Sequence, residues 1–469
     1  MLDPLDWLGF SAFVIAIVAV GVARVRRSQD FLVAGRRIGV LALVPTLVMT
    51  EFNTTTLLAF SGVGYRSGPM AVGLSAVFLV GLGWYTLAVA RRWKRFDRTS
   101  VAELFTERYG RGVGRFASVL LIVAMVGFSA TYVKSLTLIF APWSGGLDPW
   151  VLSLGLTALA VGLTIRGGLV SVIRTDMLGF CVTIAVIPAL LGVAIYRHGG
   201  FGDLATAFPP EQLTVNPVTQ WNNPALPYWF VTSLVVITCF TYICSPWYGQ
   251  KVFAAASERV AVLAVGIAAV LVFVLYASAQ LAAAFLRVEV SGLTAPETAL
   301  PVMVGLWLPP FVRGVVYATL LVAAVTTLTG VWSAMVAMVV ADFAPVRLAS
   351  VGRQRAATVA FAALSWLGAN LLVDDILNRL ILANIPIAAL SFALLAGFYW
   401  PRANTAGAWA SITVGVGWGL GCYLFFGEAG GYTWYWAVYG IPFVFASGVA
   451  GSLLAPRCRA EPTQMGGQI

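Results

Sequence analysis

The chain has 469 residues, of which 60% are hydrophobic and only 10% are charged, and its mean hydropathy is +0.89. Soluble globular proteins carry about 25% charged residues, so this composition excludes a soluble domain and indicates a polytopic α-helical membrane protein. The net charge of +10 is scattered over short segments, which argues against a nucleic-acid-binding surface. The single histidine has no cysteine or histidine cluster nearby, which argues against a metal-dependent or Ser-His-Asp enzyme.

Apolar runs long enough to cross a bilayer predict about thirteen transmembrane helices. They lie at 5–24, 38–61, 70–90, 115–140, 150–166, 175–196, 228–245, 258–286, 311–341, 356–373, 380–399, 406–426 and 433–455. The first run has no basic region before it and no small-residue cleavage site after it, so we interpret it as a retained helix.

Basic residues predict the orientation of these helices. Most of the 29 Lys and Arg residues, Lys251 among them, fall in segments that would lie on one side of the membrane. Cytoplasmic loops are enriched in basic residues, so we expect this side to be cytoplasmic, the N-terminus outside and the C-terminus inside. Lys134 differs because it lies within a predicted span. We expect a multi-pass protein of the plasma membrane, embedded in the lipid bilayer.

A polar run, Met-Thr-Glu-Phe-Asn-Thr-Thr-Thr at 49–56, interrupts the second span near its middle. A carboxylate in a membrane span, here Glu51, is a functional-site hypothesis by default. Threonine weakens a helix, and a break leaves carbonyl groups that must find partners inside the protein. A bound cation is one such partner. The alternative is that these polar groups only bond neighbouring helices.

A second interrupted span begins at 228, carries small polar residues and runs into Pro246. It would enter the membrane from the side opposite to the first, and paired interruptions of this kind predict an inverted-repeat transporter with its site at the midplane. The predicted organisation is an extra helix with a basic loop at 1–35, a first five-helix repeat at 36–196, an extracellular loop at 197–227, a second, inverted five-helix repeat at 228–399, and two C-terminal helices with a short tail at 400–469.

Adjacent hydroxyls in the span at 311–341 are predicted at the depth of the first interruption. At 1.5 Å per residue, Thr326 lies roughly 24 Å and Met49 roughly 20 Å from the cytoplasmic ends of their spans. Several neutral oxygens at one level suit a hard monovalent cation. The alternative is that Thr326 and Thr327 bond back to carbonyls of their own helix.

Seven segments in a fixed order resemble the sodium:solute symporter family over about residues 30–420. They are DFLVAGRRIG, FSGVGY, TSVAELFTERYG, GGLVSVIRTD, GQKVFAAASERVA, AAVTTLTG and WPRANTAGA. The resemblance implies an all-α membrane fold of the leucine-transporter type, with two inverted five-helix repeats and broken first and sixth core helices. It also implies sodium as the coupling ion and no other cofactor.

The resemblance implies residues for the ion as well. The positions that match the family's sodium ligands are Met49, Phe52, Ala323, Thr326 and Thr327. Asp176 matches the aspartate on the ion's cytoplasmic exit path. The glutamine usual three residues later is Gly179 here, so the resemblance does not extend to the local polar network around Asp176.

The resemblance places solute-facing positions on the first, second, third and sixth core helices. The matching candidates are Glu51, Thr54, Thr55, Thr56, Thr238, Thr241 and Tyr242. Sugar transporters of the family carry more amide and acidic groups there, so a sugar is disfavoured. Lys134 joins these candidates with three alternatives open: it receives a solute carboxylate, pairs with Glu51, or extends to the outer headgroups.

We therefore expect a sodium-coupled symporter that imports a small polar organic solute by alternating access. Carboxylates and amino acids are among the solute classes that fit, and no obligate protein partner is evident from the sequence. Two alternatives remain at this point: a proton-coupled symporter of the same fold, and a solute sensor that kept the fold without transporting.

Overall fold

The structure is a computed structural model that describes residues 3–21, 36–96, 98, 100–343, 350–428 and 431–455, without the side chains of 163–171. The basic loop expected before residue 36 and the C-terminal tail after residue 455 lie outside the described residues. The description therefore covers the two interrupted spans and everything between them apart from residues 97, 99 and those nine side chains.

Twenty helices, labelled in chain order, account for the architecture. They are α1 Pro4–Gly21, α2 Val40–Glu51, α3 Thr54–Ser67, α4 Val72–Ala88, α5 Ala90–Phe96, α6 Glu103–Tyr109, α7 Arg111–Phe140, α8 Pro149–Arg197, α9 Tyr228–Tyr242, α10 Pro246–Phe253, α11 Glu258–Glu289, α12 Ala299–Trp307, α13 Val312–Asp342, α14 Val351–Leu371, α15 Ile376–Leu382, α16 Asn384–Ala388, α17 Ser391–Tyr399, α18 Thr405–Phe426, α19 Tyr432–Tyr435 and α20 Ile441–Leu454. Short helical turns, including Leu204–Ala207, occupy the predicted extracellular loop.

The fold class is confirmed as an all-helical membrane protein. In the described parts of the chain the only β pairing is an isolated bridge between Ile38 and Ala255. Among the residues that the structure describes, eight stretches are long and apolar enough to cross a membrane, or nine if the bent pair α9 and α10 forms one span. Three further apolar helices are shorter, so the number thirteen stays a prediction.

Helix α8 contains two predicted spans in one continuous run of 49 residues. A straight helix of this length would measure about 73 Å, more than twice the roughly 30 Å of a hydrocarbon core. Near its start Ser153 bonds Trp366 toward the end of α14, and at its end Arg197 pairs with Glu289, the last residue of α11. Helix α11 starts beside α5, where Glu258 pairs with Arg95, and α13, which precedes α14, ends beside α6, where Asp342 accepts a hydrogen bond from Thr106. Both ends of α8 therefore lie on the side opposite to α5 and α6, and the chain reverses direction within α8.

Both interrupted spans are broken. The first stops at Glu51 and resumes at Thr54, after two residues outside helical structure. The second stops at Tyr242 and resumes at Pro246, and its halves meet at 48°. Proline at the first position of a helix is favourable because it has no amide hydrogen to satisfy there.

Helix α13 lies at the centre of the bundle and is buried along nearly its whole length. A helix that is apolar on all sides is typical of such a position. Helix α1 packs against its N-terminal end, where the fully buried Asp6 accepts two hydrogen bonds from Arg313, at 2.7 and 3.0 Å. Gly314 allows this approach, because a Cβ at that position would collide with the backbone of Asp6. The bundle therefore holds α13 rigidly opposite the break between α2 and α3.

Candidate ion and solute site

The break between α2 and α3 is built around Asn53. Its Oδ1 accepts a hydrogen bond from the amide of Thr56 at 2.9 Å, which caps α3, and its Nδ2 donates to the carbonyl of Glu51 at 3.1 Å. The hydroxyl of Tyr276, on α11, donates to the same carbonyl at 2.5 Å. These side chains replace the helical hydrogen bonds that the break removes.

The same cap frees a carbonyl. In an uninterrupted helix the amide of Thr56 would bond the carbonyl of Phe52, but here that amide bonds Asn53. The Phe52 ring is fixed by packing on Tyr276, with ring centroids 4.7 Å apart. Buried carbonyl groups are nearly always bonded, so the Phe52 carbonyl, which has lost the Thr56 amide, requires another partner. A bound cation can be that partner.

Four of the five predicted sodium ligands converge across α2 and α13. The Thr327 hydroxyl donates to the Ala323 carbonyl at 2.8 Å and lies 3.4 Å from the Met49 carbonyl, while the Thr326 hydroxyl lies 3.2 Å from the Ala323 carbonyl. Both hydroxyls thus bond back to their own helix, as the alternative interpretation stated, and Thr327 also reaches the broken one. A hydroxyl that donates its hydrogen to a carbonyl still offers lone pairs to a cation, so the two interpretations are compatible.

Glu51 lies buried beside this cluster. Its Oε2 accepts a hydrogen bond from Tyr242 on α9, so two of the predicted solute-facing residues meet across the two broken helices. The indole of Trp247 lies beside the same carboxylate. Its other oxygen, Oε1, is buried and forms no hydrogen bond to the parts of the chain that the structure describes.

The predicted threonines divide between packing and the site. Thr54 and Thr55 both bond the hydroxyl of Ser135 on α7, at 3.1 and 3.0 Å, which is the helix-bonding role of the alternative interpretation. Thr56 supplies the amide that Asn53 caps. The methyl group of Thr238 packs against Gly81 on α4. Thr241 differs, since its hydroxyl is buried without a hydrogen-bond partner among the described residues.

Lys134 is half-buried and makes neither a hydrogen bond nor an ion pair with any described residue. It follows Ala130 by about one turn of α7, and Ala130 packs against Gly368 on α14. Its neighbour Ser135 is the residue that faces the broken helix. Lys134 and Glu51 thus form no pair in this structure.

The position of Lys251 differs from the one predicted from the distribution of basic residues. Lys251 was expected in a cytoplasmic loop, but it lies within α10 with its side chain only 3% exposed. Its ammonium donates to the Thr46 carbonyl at 2.9 Å, to the Thr50 hydroxyl, and to Asp176 Oδ2 at 3.1 Å. Thr46 also donates to that oxygen of Asp176, at 2.5 Å. The predicted exit-path aspartate is therefore the partner of a buried lysine.

Gly179 has a structural consequence of its own. A Cβ at this position would lie 3.2 Å from the terminal methyl of Met49, so the Met49 side chain fills the space where a longer residue would stand. The polar partner of Asp176 in this structure is instead the ammonium of Lys251.

Two broken helices packed against a continuous one are the arrangement of an inverted-repeat membrane transporter. Residues 31–415 match the sodium:solute symporter family, and the chain belongs to that family. It is similar to the sodium/pantothenate symporter of Escherichia coli strain K12, at 23% identity over 430 residues that cover 86% of this chain and 87% of the relative. Solute carrier family 5 member 4B of Mus musculus is 24% identical over 229 residues, which cover 45% of this chain and 34% of the relative.

Solved structures show the same fold. A Na⁺-coupled sialic acid symporter in a substrate-bound outward-open state superposes with a TM-score of 0.81 at 18% identity, over 97% of this chain and 98% of that one. A nucleobase-cation-symport-1 family transporter in a closed conformation gives a TM-score of 0.61 at 13% identity, over 92% and 95%. The protein is thus a multi-pass membrane transporter with sodium as its coupling ion, and not an enzyme.

Proposed function

We propose that the protein imports a small zwitterionic amino acid together with sodium. The observation that carries this proposal is the buried Oε1 of Glu51, which has no hydrogen-bond partner in the described chain. A buried carboxylate is stable only when it is paired or fully hydrogen-bonded. A solute ammonium group placed against Oε1 would supply the missing partner.

The charges around Glu51 support a zwitterion over a plain anion. Lys251 lies near enough to act on Glu51 electrostatically, but its ammonium bonds Asp176. Lys134 makes no ion pair with a described residue, so no described basic side chain forms an ion pair with Glu51. A solute carboxylate would find its positive partner at the N-terminus of α3, which begins at Thr54. Half-helix N-termini of broken membrane helices carry partial positive charge and bind anionic groups of solutes in this way.

The coupling ion would bind beside the solute. We propose that Met49, Phe52, Ala323, Thr326 and Thr327 hold one sodium ion, and that Asp176 lies on its path to the cytoplasm. Sodium would then fix the end of α2 on α13 and order the break that also carries Glu51, so sodium and solute would raise each other's affinity reciprocally.

The free energy from one sodium ion is enough to accumulate a dilute solute. One charge moving down about 100 mV yields roughly 2.3 kcal/mol, and a tenfold sodium gradient adds about 1.4 kcal/mol. Together they support a several-hundredfold accumulation of solute. The cycle would use the two repeats at 36–196 and 228–399 as the rocking units, in a plasma membrane with the N-terminus outside and the C-terminus inside.

A panel of solutes tests this proposal. Purified protein in liposomes with an inward sodium gradient would be given labelled amino acids and pantothenate. We expect uptake of a neutral amino acid, and a loss of its affinity by more than about tenfold in Glu51→Gln, because a buried ion pair with the solute is lost. Glu289→Gln, which removes a carboxylate at the outer end of α11, is the matched control and should leave the affinity unchanged.

The second candidate solute is a carboxylate such as pantothenate. Two relatives favour it, because the similar proteins of Escherichia coli and of Haemophilus influenzae are both named sodium/pantothenate symporter. Pantothenate uptake that survives Glu51→Gln, without uptake of any amino acid, would overturn the zwitterion proposal and support this one. Binding without counterflow would instead indicate a sensor, and uptake that is equal in sodium and choline would indicate proton coupling.

A further inference from the structure

The ammonium of Lys251 occupies a cage of oxygens that resembles a cation site. Three oxygens contact it: the Thr46 carbonyl at 2.9 Å, the Thr50 hydroxyl, and Asp176 Oδ2 at 3.1 Å. They come from α2 and α8, whereas Lys251 itself extends from α10. A carbonyl, a hydroxyl and a carboxylate are oxygen ligands of the kinds that bind hard cations in proteins.

This cage adjoins the candidate sodium site. Thr50 follows Met49 directly in α2, so one face of that helix end contributes to the neutral oxygens around Thr327 and the other contributes to the cage. The first site holds no formal charge. The second combines a carboxylate with a fixed positive group, so its charge is already balanced.

We propose that Lys251 is a resident cation that takes the place of a second coupling ion, so that the transporter binds one sodium ion per cycle. The inference rests on the proposed sodium site between α2 and α13, and it adds the ion stoichiometry. A buried ion is tolerated when a partner and hydrogen bonds compensate it, and here an ammonium compensates Asp176. The second carboxylate oxygen, Asp176 Oδ1, has no partner in the described structure and can receive the transported ion as it leaves.

A resident cation acts through the charge of Lys251, whereas a purely structural lysine acts through its packing and hydrogen bonds. Variants that remove the charge therefore distinguish the two roles. In Lys251→Met the carboxylate of Asp176 stays buried without a positive partner, so a cation from solution should fill the cage. In the double variant Asp176→Asn with Lys251→Met both charges are absent, so the cage should attract none. Lys94→Met is the matched control, since Lys94 donates to the Phe253 carbonyl at the end of α10 and lies outside the cage.

The experiment is equilibrium binding of ²²Na⁺ to the purified full-length protein, with no solute present. We expect one bound ion for the unaltered chain, two with a steeper isotherm for Lys251→Met, and one each for the double variant and Lys94→Met. Should Lys251→Met not fold, Lys251→Gln keeps hydrogen-bond donors in the cage and is expected to bind two.

Two results would overturn the inference. The first is two sodium ions on the unaltered chain, and the second is a single ion on a folded Lys251→Met, which would make Lys251 a structural brace. Failure of the sodium site itself has a different signature, namely no sodium bound by the unaltered chain, and that result removes both proposals.

Discussion

Asn53 shows how one side chain can both end and start a helix. Its oxygen caps α3 while its nitrogen holds the last carbonyl of α2, and the cap takes the amide of Thr56 that would bond the Phe52 carbonyl in a continuous helix. The Met49 carbonyl lies one turn before the break, 3.4 Å from the Thr327 hydroxyl. The sequence identified these two carbonyls through the family resemblance. It did not assign Asn53 a role, although a side-chain amide inside an apolar span was the signal available for it.

The first residue-scale prediction concerns Thr327. Replacing it with alanine removes the hydroxyl that lies between the Ala323 and Met49 carbonyls. We expect sodium affinity to fall about tenfold, because losing one such polar ligand costs roughly 1.4 kcal/mol. The sodium affinity is measured by following the melting temperature of the protein as the sodium concentration is raised.

Two variants control the Thr327 experiment. Thr327→Ser keeps the oxygen and should retain sodium affinity. Thr319→Ala removes a hydroxyl that bonds only the Val315 carbonyl on the same helix, so it should also leave affinity unchanged. Equal sodium affinity in Thr327→Ala and Thr319→Ala would show that Thr327 is not a ligand.

Lys251 marks the limit of sequence reasoning at this scale. In the sequence it lies between Pro246 and the charged pair Glu258 and Arg259, a setting that is typical of a cytoplasmic loop. Its partner Asp176 is 75 residues away, and a contact of that range is set by tertiary packing. The depth of a residue along its helix and the number of basic residues in a loop are properties of one segment. They therefore give no information on which residues of two distant segments form an ion pair.

At the scale of elements, the breaks were predictable and their geometry was not. Threonines, Asn53 and Pro246 weaken the two helices locally, so the positions of both breaks follow from the residues there. The 48° bend between α9 and α10 depends on what packs against each half. The reversal inside α8 was predicted as two separate spans, because two apolar runs of spanning length occur there, at 150–166 and 175–196.

The element-scale prediction concerns the cap of α3. Asn53→Ala should lower stability by about 0.5–2 kcal/mol, the usual loss for an N-cap, and it should also weaken sodium binding because the Phe52 carbonyl regains a helical amide. Asn404 caps α18 through the same kind of bond, to the amide of Gly407 at 3.0 Å, and it lies in the C-terminal part of the chain.

The comparison between these two caps tests the assignment. Asn404→Ala should lower thermal stability to a similar extent without changing sodium affinity. If Asn53→Ala also leaves sodium affinity unchanged, the break supports the fold alone and its carbonyls do not bind the ion.

At the scale of the whole molecule, the fold class was predictable from the sequence. A chain in lipid must form its backbone hydrogen bonds internally, so it crosses the membrane as helices, and each helix appears in the sequence as a long apolar run. The repeat boundaries and the orientation are predictions that remain to be tested. The interior arrangement around α13 required the structure, because a helix that is apolar on every side shows no face from which its neighbours can be inferred.

The prediction at this scale is the orientation in the membrane. Val218 lies in the predicted extracellular loop and is 84% exposed, whereas Ala256 is exposed between α10 and α11 on the opposite side. Val218→Cys should react with a membrane-impermeant maleimide on intact cells, and Ala256→Cys only after permeabilisation. The reverse pattern would invert the proposed topology.

The central claim is that a sodium ion between α2 and α13 drives solute across the membrane. The most direct measurement is uptake of the solute selected by the liposome panel, under an imposed sodium gradient and then in choline. We predict accumulation that follows the sodium gradient and is lost in the double variant Thr326→Ala with Thr327→Ala. Accumulation that is equal in both media, or that survives loss of both hydroxyls, would contradict the claim.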